Sequence, residues 1–212
     1  MPTKLPIAVL ISGGGTNLQA LIDASTNETF GCKIVGVISD RPNAGGLDRA
    51  ASAGIPGEVI DWNESIDRAS FTTAICDKAK NRGAQALVLA GFMRVLAPQA
   101  MEGFPNAIIN VHPSMLPSFP GGTSVQDALD AGVPATGVTI HFVDELVDHG
   151  PIIVQEPVPI INGDDFESLH ARIQRVEHRL LPEVVSAFGK GHITISGGSV
   201  KWATAADLGA IR

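Results

Sequence analysis

Two polar side chains near the end of an apolar run have types that suit acid–base chemistry. Asn110 and His112 follow Ala107–Ile109 and flank Val111. Side chains two residues apart on a strand point to the same face, so the carboxamide and the imidazole should project together. Pro113 favours extended backbone at His112. Open α/β sheets build their sites at the carboxyl ends of strands, so the sequence predicts a reactive site here.

A second polar segment supplies a carboxylate. Asp148 and His149 stand in the polar stretch from Asp144 to Gly150, after another predicted strand. Taken alone, this stretch is typical of a turn with solvated acids. Next to His112, a carboxylate would favour the charged imidazole and raise its pKa from about 6.5, which would make an acid–base centre. The sequence does not show that the two side chains are adjacent.

A glycine-rich turn near the N-terminus indicates an anion site. Gly13–Gly15 join the first apolar run to a helical pattern that begins at Asn17. A helix start offers free N–H groups and a positive dipole end, which suit a phosphate. The alternative is a tight turn without a ligand. The Walker sequence Gly-Lys-Ser/Thr is missing, and the dinucleotide fingerprint needs a glycine where Leu18 stands, although Asp40 at the end of the second strand fits that fingerprint. A single phosphate of a mononucleotide-like ligand fits best.

For two further features the sequence leaves a structural and a functional alternative open, and a third comparison argues against a metal site. The apolar segment Gly91–Leu96 either closes the core or flanks a flat heterocycle. His141 is predicted to be a hydrogen-bonded structural histidine, with a supporting role beside the site as the alternative. The spacing of His112, His141, Asp148 and His149 matches neither an HExxH nor a CxxC-type set of zinc ligands, so no metal site is predicted.

Apolar runs alternate with helical patterns along the chain, which predicts an α/β domain with an open, mostly parallel twisted sheet flanked by helices. The predicted strands are Ile7–Ile11, Lys33–Ser39, Glu58–Ile60, Ala86–Ala90, Ala107–Val111, Thr136–Val143 and Ile152–Pro159. The predicted helices are Asn17–Ala24, Gly46–Ala53, Asp67–Arg82, Ser124–Ala131 and Asp165–Phe188. Asp164 or Asp165 should cap the last helix, and Pro182 should kink it.

These elements predict one domain over residues 1–190, with a division of labour near residue 105, followed by a hairpin and tail over residues 191–212. The hairpin pairs Ile193–Ser196 with Ser199–Trp202 around two glycines. Residues after Ala203 carry weak signals and are expected to be loosely ordered.

The composition indicates a globular protein and argues against nucleic-acid-binding, membrane and secreted proteins. The 212 residues are 44% hydrophobic, which is enough for a sizeable core. The 15 basic and 22 acidic residues give a net charge of −7 without any Lys/Arg cluster, so neither nucleic acid nor an anionic membrane is an expected partner. Cys32 and Cys76 do not form a redox or metal motif, and no apolar run is long enough for a signal peptide or a membrane span. We expect a cytoplasmic protein.

Four segments, in this order, resemble one enzyme family: SGGGTNLQAL, AGFMRVL, INVHPSMLPSFPG and HFVDELVDHGPII. They are similar to the phosphoribosylglycinamide formyltransferases, and the similarity extends from about Ile7 to Lys190. The resemblance implies a Rossmann-like formyltransferase fold and a role in de novo purine biosynthesis. It also implies the reaction, in which 10-formyltetrahydrofolate gives its formyl group to the amine of 5′-phosphoribosylglycinamide.

The resemblance implies a role for each matching residue. The catalytic trio corresponds to Asn110, His112 and Asp148. The phosphate-holding loop corresponds to Gly14, Gly15, Thr16, Asn17 and Leu18, and Glu177 to the acid that contacts the ribose. The folate cosubstrate, 10-formyltetrahydrofolate, would be bound by Arg68, Met93, Arg94, Val95, Leu96 and Asn110. By the same resemblance, the partners are small molecules and no metal is required. A homodimer is compatible with the sequence, which does not determine the oligomeric state.

One loop departs from the family pattern. Many relatives carry a histidine shortly after the Pro-Gly pair, where this chain has Gly122 and Thr123. In the same proline-rich loop, the Leu116–Pro117 bond is a candidate for the cis form.

Three other functions are less consistent with the sequence. A formyltetrahydrofolate hydrolase would keep Asn110, His112 and Asp148 but use water as the acceptor, and those relatives carry an extra N-terminal domain, whereas the first strand here begins by Ile7. A methionyl-tRNA formyltransferase would need a longer chain and a basic RNA-binding region. A nucleotide-binding module without activity would give no reason for Asn110, His112 and Asp148 to occur at the ends of strands.

Overall fold

The computed structural model describes residues 3–203. In it, seven strands form one sheet and two more strands form a hairpin that follows the last helix. The strands are β1 (Leu5–Ile11), β2 (Cys32–Ser39), β3 (Gly57–Val59), β4 (Ala86–Leu89), β5 (Ile108–His112), β6 (Ala135–Phe142), β7 (Ile152–Pro159), β8 (Ile193–Ser196) and β9 (Ser199–Trp202). The sheet order is β3-β2-β1-β4-β5-β6-β7. Strands β1 to β5 are parallel, while β6 pairs antiparallel with both β5 and β7. The predicted α/β class, the mostly parallel sheet and the hairpin are confirmed.

Helices cover both faces of this sheet. They are α1 (Thr16–Ser25), α2 (Gly45–Ser52), α3 (Arg68–Asn81), α4 (Gln99–Gly103), α5 (Ser124–Asp130) and α6 (Phe166–Gly189), with a 3₁₀ turn at Trp62–Glu64. Alternate residues of β1 enter two separate apolar clusters: Val9 packs in the cluster that contains Leu180 of α6, and Leu10 in the cluster that contains Phe71 of α3. The sequence of β1 is apolar at every position from Ile7 to Ile11 because both faces of the strand are buried.

Most predicted elements agree with the structure within two residues. Helix α4 and the 3₁₀ turn were not predicted, because elements of five and three residues are too short to show a periodic apolar pattern. Asp165 is the cap of α6 and accepts a hydrogen bond from the Ser168 N–H at 2.9 Å. Pro182 lies inside α6, which continues to Gly189.

Two other expectations concern the loops and the termini. The Leu116–Pro117 bond is cis, as the sequence suggested. The tail beyond Ala203 lies outside the described residues. Within residues 3–203, none of the helices combines the length and the apolar character that crossing a membrane requires.

The sheet order brings three loops to one place. Strands β1, β4 and β5 are neighbours and parallel, so their carboxyl ends lie side by side. Ser12 follows β1, Gly91 follows β4, and His112 ends β5. The loops that carried the chemical signals in the sequence therefore meet at one edge of the sheet, where ligands bind in open α/β folds.

Candidate active site

Strand β5 delivers the first two side chains of the site. Asn110 and His112 stand on the same side of the strand, and both line a cavity of about 210 Å³. The imidazole of His112 is almost fully buried, with 4% of the residue exposed. The cavity also receives the segment Gly91–Leu96 from one side and the loop Val143–Asp148 from the other.

The structure brings Asn110, His112 and Asp148 together. The His112 Nδ1 atom lies 3.4 Å from Asp148 Oδ2. The Asn110 amide nitrogen lies 3.4 Å from the other carboxylate oxygen, Oδ1. Asp148 has a positive φ of 50°, and its carboxylate reaches the two side chains of β5. An imidazole, a carboxylate and a carboxamide thus surround one point of the cavity.

The proline-rich loop after His112 supplies two backbone contacts that the sequence analysis missed. The His112 Nε2–H donates to the Phe119 carbonyl oxygen at 2.8 Å. The Gly121 N–H donates to Asp148 Oδ2, also at 2.8 Å. Phe119 has a φ of 55°, a conformation that is uncommon for a residue with a side chain. Backbone donors and acceptors carry no residue-type signal, so only the closeness of Pro120–Gly121 to His112 in sequence pointed to them.

The expected rise in the pKa of His112 is wrong. Burial is the largest effect and lowers the pKa of the imidazole, because the charged form loses its water. The Phe119 carbonyl and the Asp148 carboxylate act in the opposite direction but do not overcome burial, and nearby His141 lowers the pKa further. His112 therefore favours the neutral form.

Asp148 has the opposite preference. Burial by itself would raise the pKa of its carboxyl group, but the His141 side chain, the Gly121 N–H and the nearby His112 together hold the pKa below its usual range. The carboxyl group is therefore ionised at neutral pH. An ionised carboxylate 3.4 Å from His112 Nδ1 stabilises any proton that arrives on that nitrogen.

His141 supports the site from β6. It pairs with Asn110 across the β5–β6 ladder and is 2% exposed. Its Nδ1–H donates to the Phe142 carbonyl at 2.9 Å, so its Nε2 accepts from the Asn110 amide at 3.1 Å. The expected structural histidine is thus also a contact of a site residue, and it fixes which way the Asn110 amide points.

Apolar side chains wall the cavity on both sides. In the segment after β4, Phe92 and Leu96 are buried in the core, whereas Met93 and Val95 are 60% and 44% exposed. The core-closing alternative therefore holds for Phe92 and Leu96, and Met93 and Val95 line the cavity, where the contact with a flat heterocycle stays a prediction. Leu146 and Val147 are also exposed and line the facing loop.

Arg68 is the one predicted folate contact that the structure does not bring to the cavity. It is exposed at the first residue of α3 and is not among the residues that line the cavity.

The glycine-rich turn has the geometry of an anion site. Gly15 adopts a left-handed conformation with φ of 71°, and α1 begins at the next residue, Thr16. The N–H groups of the first turn have no acceptor within the helix. A Cβ on Gly15 would lie 2.6 Å from the Gly46 Cα, so the turn packs directly on the start of α2. Leu18 is fully buried in the core, so only its backbone is available to a ligand.

Glu177 of α6 lies beside this turn. The Asn17 amide nitrogen donates to Glu177 Oε2 at 2.9 Å. Burial raises the pKa of the Glu177 carboxyl group, and the Asn17 hydrogen bond only partly opposes that rise. The structure thus joins Glu177 to the turn although the two are 160 residues apart in sequence.

The dinucleotide alternative does not fit the structure. Its ribose ligand would be Asp40, but the Asp40 side chain is fully buried and its Oδ2 accepts from Arg94 Nε at 2.7 Å. A carboxylate enclosed in this way cannot receive the hydroxyls of a ribose. Within residues 3–203, no group of three or more His, Cys, Asp or Glu side chains is arranged to hold a metal ion.

Relatives of known function exist among bacterial enzymes. The formyl transferase family model matches residues 5–185. The chain is 40% identical over 189 residues to the phosphoribosylglycinamide formyltransferase of Haemophilus influenzae, and the match covers 89% of each protein. It is 38% identical over 199 residues to the enzyme of the same name from Mycobacterium tuberculosis, covering 93% of this chain and 92% of the relative.

A longer relative and a solved structure agree with these matches. Trifunctional purine biosynthetic protein adenosine-3 of Bos taurus is 42% identical over 204 residues, which are 96% of this chain but only 20% of that relative's length. The crystal structure of glycinamide ribonucleotide transformylase 1 from Symbiobacterium toebii superposes with a TM-score of 0.93 at 40% identity, covering 96% of both chains. The chain belongs to the phosphoribosylglycinamide formyltransferase family of formyl transferases.

Proposed function

We propose that this protein transfers the formyl group of 10-formyltetrahydrofolate to the amine of 5′-phosphoribosylglycinamide. The products are N-formylglycinamide ribonucleotide and tetrahydrofolate, and the reaction is a step of purine biosynthesis. The observation that carries the proposal is the convergence of Asn110, His112 and Asp148 in a cavity with apolar walls. The family and the names of its members support the same reaction.

Formyl transfer to an amine proceeds through a tetrahedral adduct whose oxygen carries negative charge. The substrate amine attacks the formyl carbon, and its nitrogen then has a proton to lose. The neutral form of His112 accepts that proton on Nδ1, because Nε2 already donates to the Phe119 carbonyl. Asp148 stabilises the resulting imidazolium. The imidazolium returns the proton to the folate nitrogen as the carbon–nitrogen bond to folate breaks, so His112 ends the cycle neutral.

The Asn110 amide donates a hydrogen bond that stabilises the oxyanion of the adduct. A preorganised N–H donor at the developing charge is usually the largest single contribution to such a reaction. The Asn110 amide is held by His141 Nε2 at 3.1 Å, while its contact to Asp148 is long at 3.4 Å. The hydrogen of the long contact is therefore the one available to the oxyanion. The mechanism needs no covalent enzyme intermediate, and none of its steps calls for a metal.

The phosphate site lies in the N-terminal half of the chain, and the C-terminal half binds the folate and carries out catalysis, but each ligand also contacts residues of the other half. The N-terminal half binds the substrate phosphate on the backbone of Gly14–Leu18, and Glu177 of α6 contacts the ribose. The C-terminal half, beyond about residue 105, carries the catalytic trio. The folate lies against Met93–Leu96 and Asn110, and the assignment of Arg68 to folate binding rests on the family resemblance alone. The exposed Met93 and Val95 side chains support this placement of the flat ring system.

The proposal includes a cytoplasmic location and small-molecule partners. Both cysteines of the chain, Cys32 and Cys76, are free and buried, as is usual where thiols stay reduced. The net charge of −7 supports the absence of nucleic-acid and membrane partners. A homodimer stays a prediction.

An acceptor competition tests the proposed reaction. The purified protein is mixed with 10-formyltetrahydrofolate alone, or with glycinamide ribonucleotide as well, and tetrahydrofolate release is followed. We expect release only when the ribonucleotide is present, with one N-formylglycinamide ribonucleotide formed for each tetrahydrofolate. Equal release in water alone would favour a hydrolase instead.

A further inference from the structure

Three side chains outside the catalytic trio form a cluster behind the folate-facing segment. We call Asp40, Trp62 and Arg94 the Arg94 clamp. The Arg94 Nε donates to Asp40 Oδ2 at 2.7 Å, and its guanidinium carbon lies 5.0 Å from the centre of the Trp62 ring. The Asp40 side chain is fully buried, and that of Arg94 is 26% exposed. The contact is thus an ion pair between a fully buried carboxylate and a partly buried cation, with an aromatic face beneath the cation.

The clamp joins three separate parts of the fold. Asp40 directly follows β2, Trp62 begins the 3₁₀ turn after β3, and Arg94 lies in the loop after β4. The other cation near Asp40 is Arg41, whose Nε is 3.7 Å from the same oxygen and whose side chain is 53% exposed. A buried carboxylate without a close cation is strongly destabilising, so Asp40 holds Arg94 firmly in one position. A planar guanidinium also suits both a carboxylate and an aromatic face.

A second anchor fixes the same segment from β1. The Ser12 hydroxyl accepts a hydrogen bond from the Met93 N–H at 2.8 Å, and the Ser12 N–H donates to the Gly91 carbonyl at 3.1 Å. The segment around Arg94 is therefore held in two ways. Hydrogen bonds to Ser12 fix its backbone, and the Arg94 clamp fixes the Arg94 side chain. Its sequence neighbours, Met93 and Val95, are the exposed apolar residues of the cavity wall.

We propose that Asp40, acting through Arg94, is a positioning residue for the folate cosubstrate. This inference rests on the function proposed above. The buried ion pair holds the cavity wall in its ligand-binding shape before the folate arrives, which removes the entropic cost of ordering it on binding. Asp40 is 1% exposed and acts behind the wall, so its loss should weaken binding of the folate without changing the chemical step.

Paired variants test this role. Asp40→Asn keeps the shape of the side chain and removes its charge, and Arg94→Met removes the cation and keeps the aliphatic stem. For each we expect a rise of about tenfold in the KM for 10-formyltetrahydrofolate, the size of one lost charge-assisted hydrogen bond. In Asp40→Asn, the kcat and the KM for the ribonucleotide should stay within about twofold of wild type. The double variant should be no worse than the worse single variant, because both changes remove the same interaction.

A matched control and a second measurement separate positioning from general damage. Glu58→Gln breaks another carboxylate–arginine pair, Glu58 with Arg82 at 2.9 Å, away from the cavity, and should leave the folate KM unchanged. In a Trp202→Phe background Trp62 is the single tryptophan, so its emission reports the guanidinium above its ring. Asp40→Asn should shift that emission, and Glu58→Gln should not.

The outcomes distinguish this role from the proposed reaction. The positioning role would be overturned if folded Asp40→Asn has the wild-type folate KM while Arg94→Met has a raised one. Arg94 would then bind the folate directly, without any contribution from Asp40. Calorimetric titration with tetrahydrofolate measures binding without turnover. If the wild type transfers no formyl group but Asp40→Asn still weakens tetrahydrofolate binding about tenfold, the proposed reaction fails and the positioning of a folate by Asp40 stands.

Discussion

The imidazole of His112 is under two opposing influences. Burial favours its neutral form, and the Asp148 carboxylate favours its charged form. A group balanced in this way can take up a proton and give it back within one turnover. Burial has the larger effect, and in the proposed mechanism a developing positive charge on the attacking amine shifts the balance as the proton moves. In the proposed mechanism, His112 therefore begins the cycle as a base and completes it as an acid.

Removing the imidazole should abolish most of the rate while the fold survives. We expect His112→Ala to lower kcat by a factor on the order of 10² to 10⁴, because a positioned acid–base group contributes that much. Steady-state kinetics measure the loss, and circular dichroism checks the fold. His112→Asn serves as a second variant that leaves a smaller void. Near-wild-type turnover of either folded variant would remove His112 from the mechanism.

The carboxylate can be tested through the pH profile. The active form of the free enzyme has neutral His112, so kcat/KM should rise with pH through the pKa of that group. Asp148→Asn removes the charge that favours the imidazolium, so the pKa of His112 should fall and the acid limb should move to lower pH. Rate measurements from about pH 4.5 to 8 record the limb.

A nearby acid provides the control for that profile. Asp144 of the same loop also lines the cavity, but its carboxylate pairs with the exposed His149 at 2.8 Å and not with His112. Asp144→Asn should leave the acid limb where it is. An unmoved limb in Asp148→Asn would show that Asp148 and His112 do not interact.

At the scale of elements, loops rather than strands complete the site. Strand β5 alone places Asn110 and His112, but the His112 tautomer depends on the Phe119 carbonyl in the next loop. The loop between β6 and β7 then brings Asp148 to the same point. The glycine-rich turn similarly depends on its neighbour, because Gly15 packs against Gly46 at the start of α2.

The packing of the glycine-rich turn predicts a specific loss of substrate binding. Gly15→Ala introduces a Cβ that would lie 2.6 Å from Gly46 Cα, at a residue with φ of 71°. The turn must shift, and we expect the KM for the ribonucleotide to rise at least tenfold, on the order of one lost charge-assisted contact to phosphate. The KM for the folate should change much less. Substrate-dependent kinetics with each ligand varied in turn measure both constants.

Gly83→Ala is the control for backbone strain. Gly83 has a φ of 78°, close to that of Gly15, but a Cβ there would meet nothing within 4 Å. It should lower the melting temperature without changing either KM. Equal effects of the two substitutions on the ribonucleotide KM would show that strain, and not the contact with Gly46, governs the turn.

At the scale of the whole molecule, the proposed ribose contact of Glu177 predicts that substrate binding and stability compete at α6. Glu177 is 6% exposed and contacts Asn17 of α1, so a carboxyl group occupies the interface between two helices that pack together. Burial raises its pKa, which means that the folded state binds its proton more tightly than the unfolded state does. The protonated group is therefore compatible with folding at low pH, and ionisation destabilises the fold as pH rises through the folded-state pKa.

A neutral replacement should therefore stabilise the protein and impair its function. We expect Glu177→Gln to raise the melting temperature at pH 8 by about 2–4 °C, the effect of roughly 1 kcal/mol in a protein of this size. The gain should shrink as pH falls below the folded-state pKa. The ribonucleotide KM should rise, because the ribose loses a charged acceptor. Calorimetric melting at several pH values checks the trend.

The exposed Glu28 provides the comparison, since Glu28→Gln should leave the melting temperature unchanged at every pH. A Glu177→Gln protein that is less stable than wild type at pH 8 would contradict the account of the α1–α6 interface.

The amino-acid order by itself determined the alternation of strands and helices, since apolar periodicity is a local property of the chain. It also determined the reactive pair on β5, because a two-residue spacing on a strand leaves little freedom, and four ordered motifs were enough to indicate the family. Only the tertiary structure decided which form of His112 prevails, because burial depends on everything packed around the ring. It likewise decided that Asp40 faces Arg94 and that Glu177 meets Asn17. Residues 54 and 160 positions apart are brought together by the sheet order and helix packing, and no local pattern encodes such pairs.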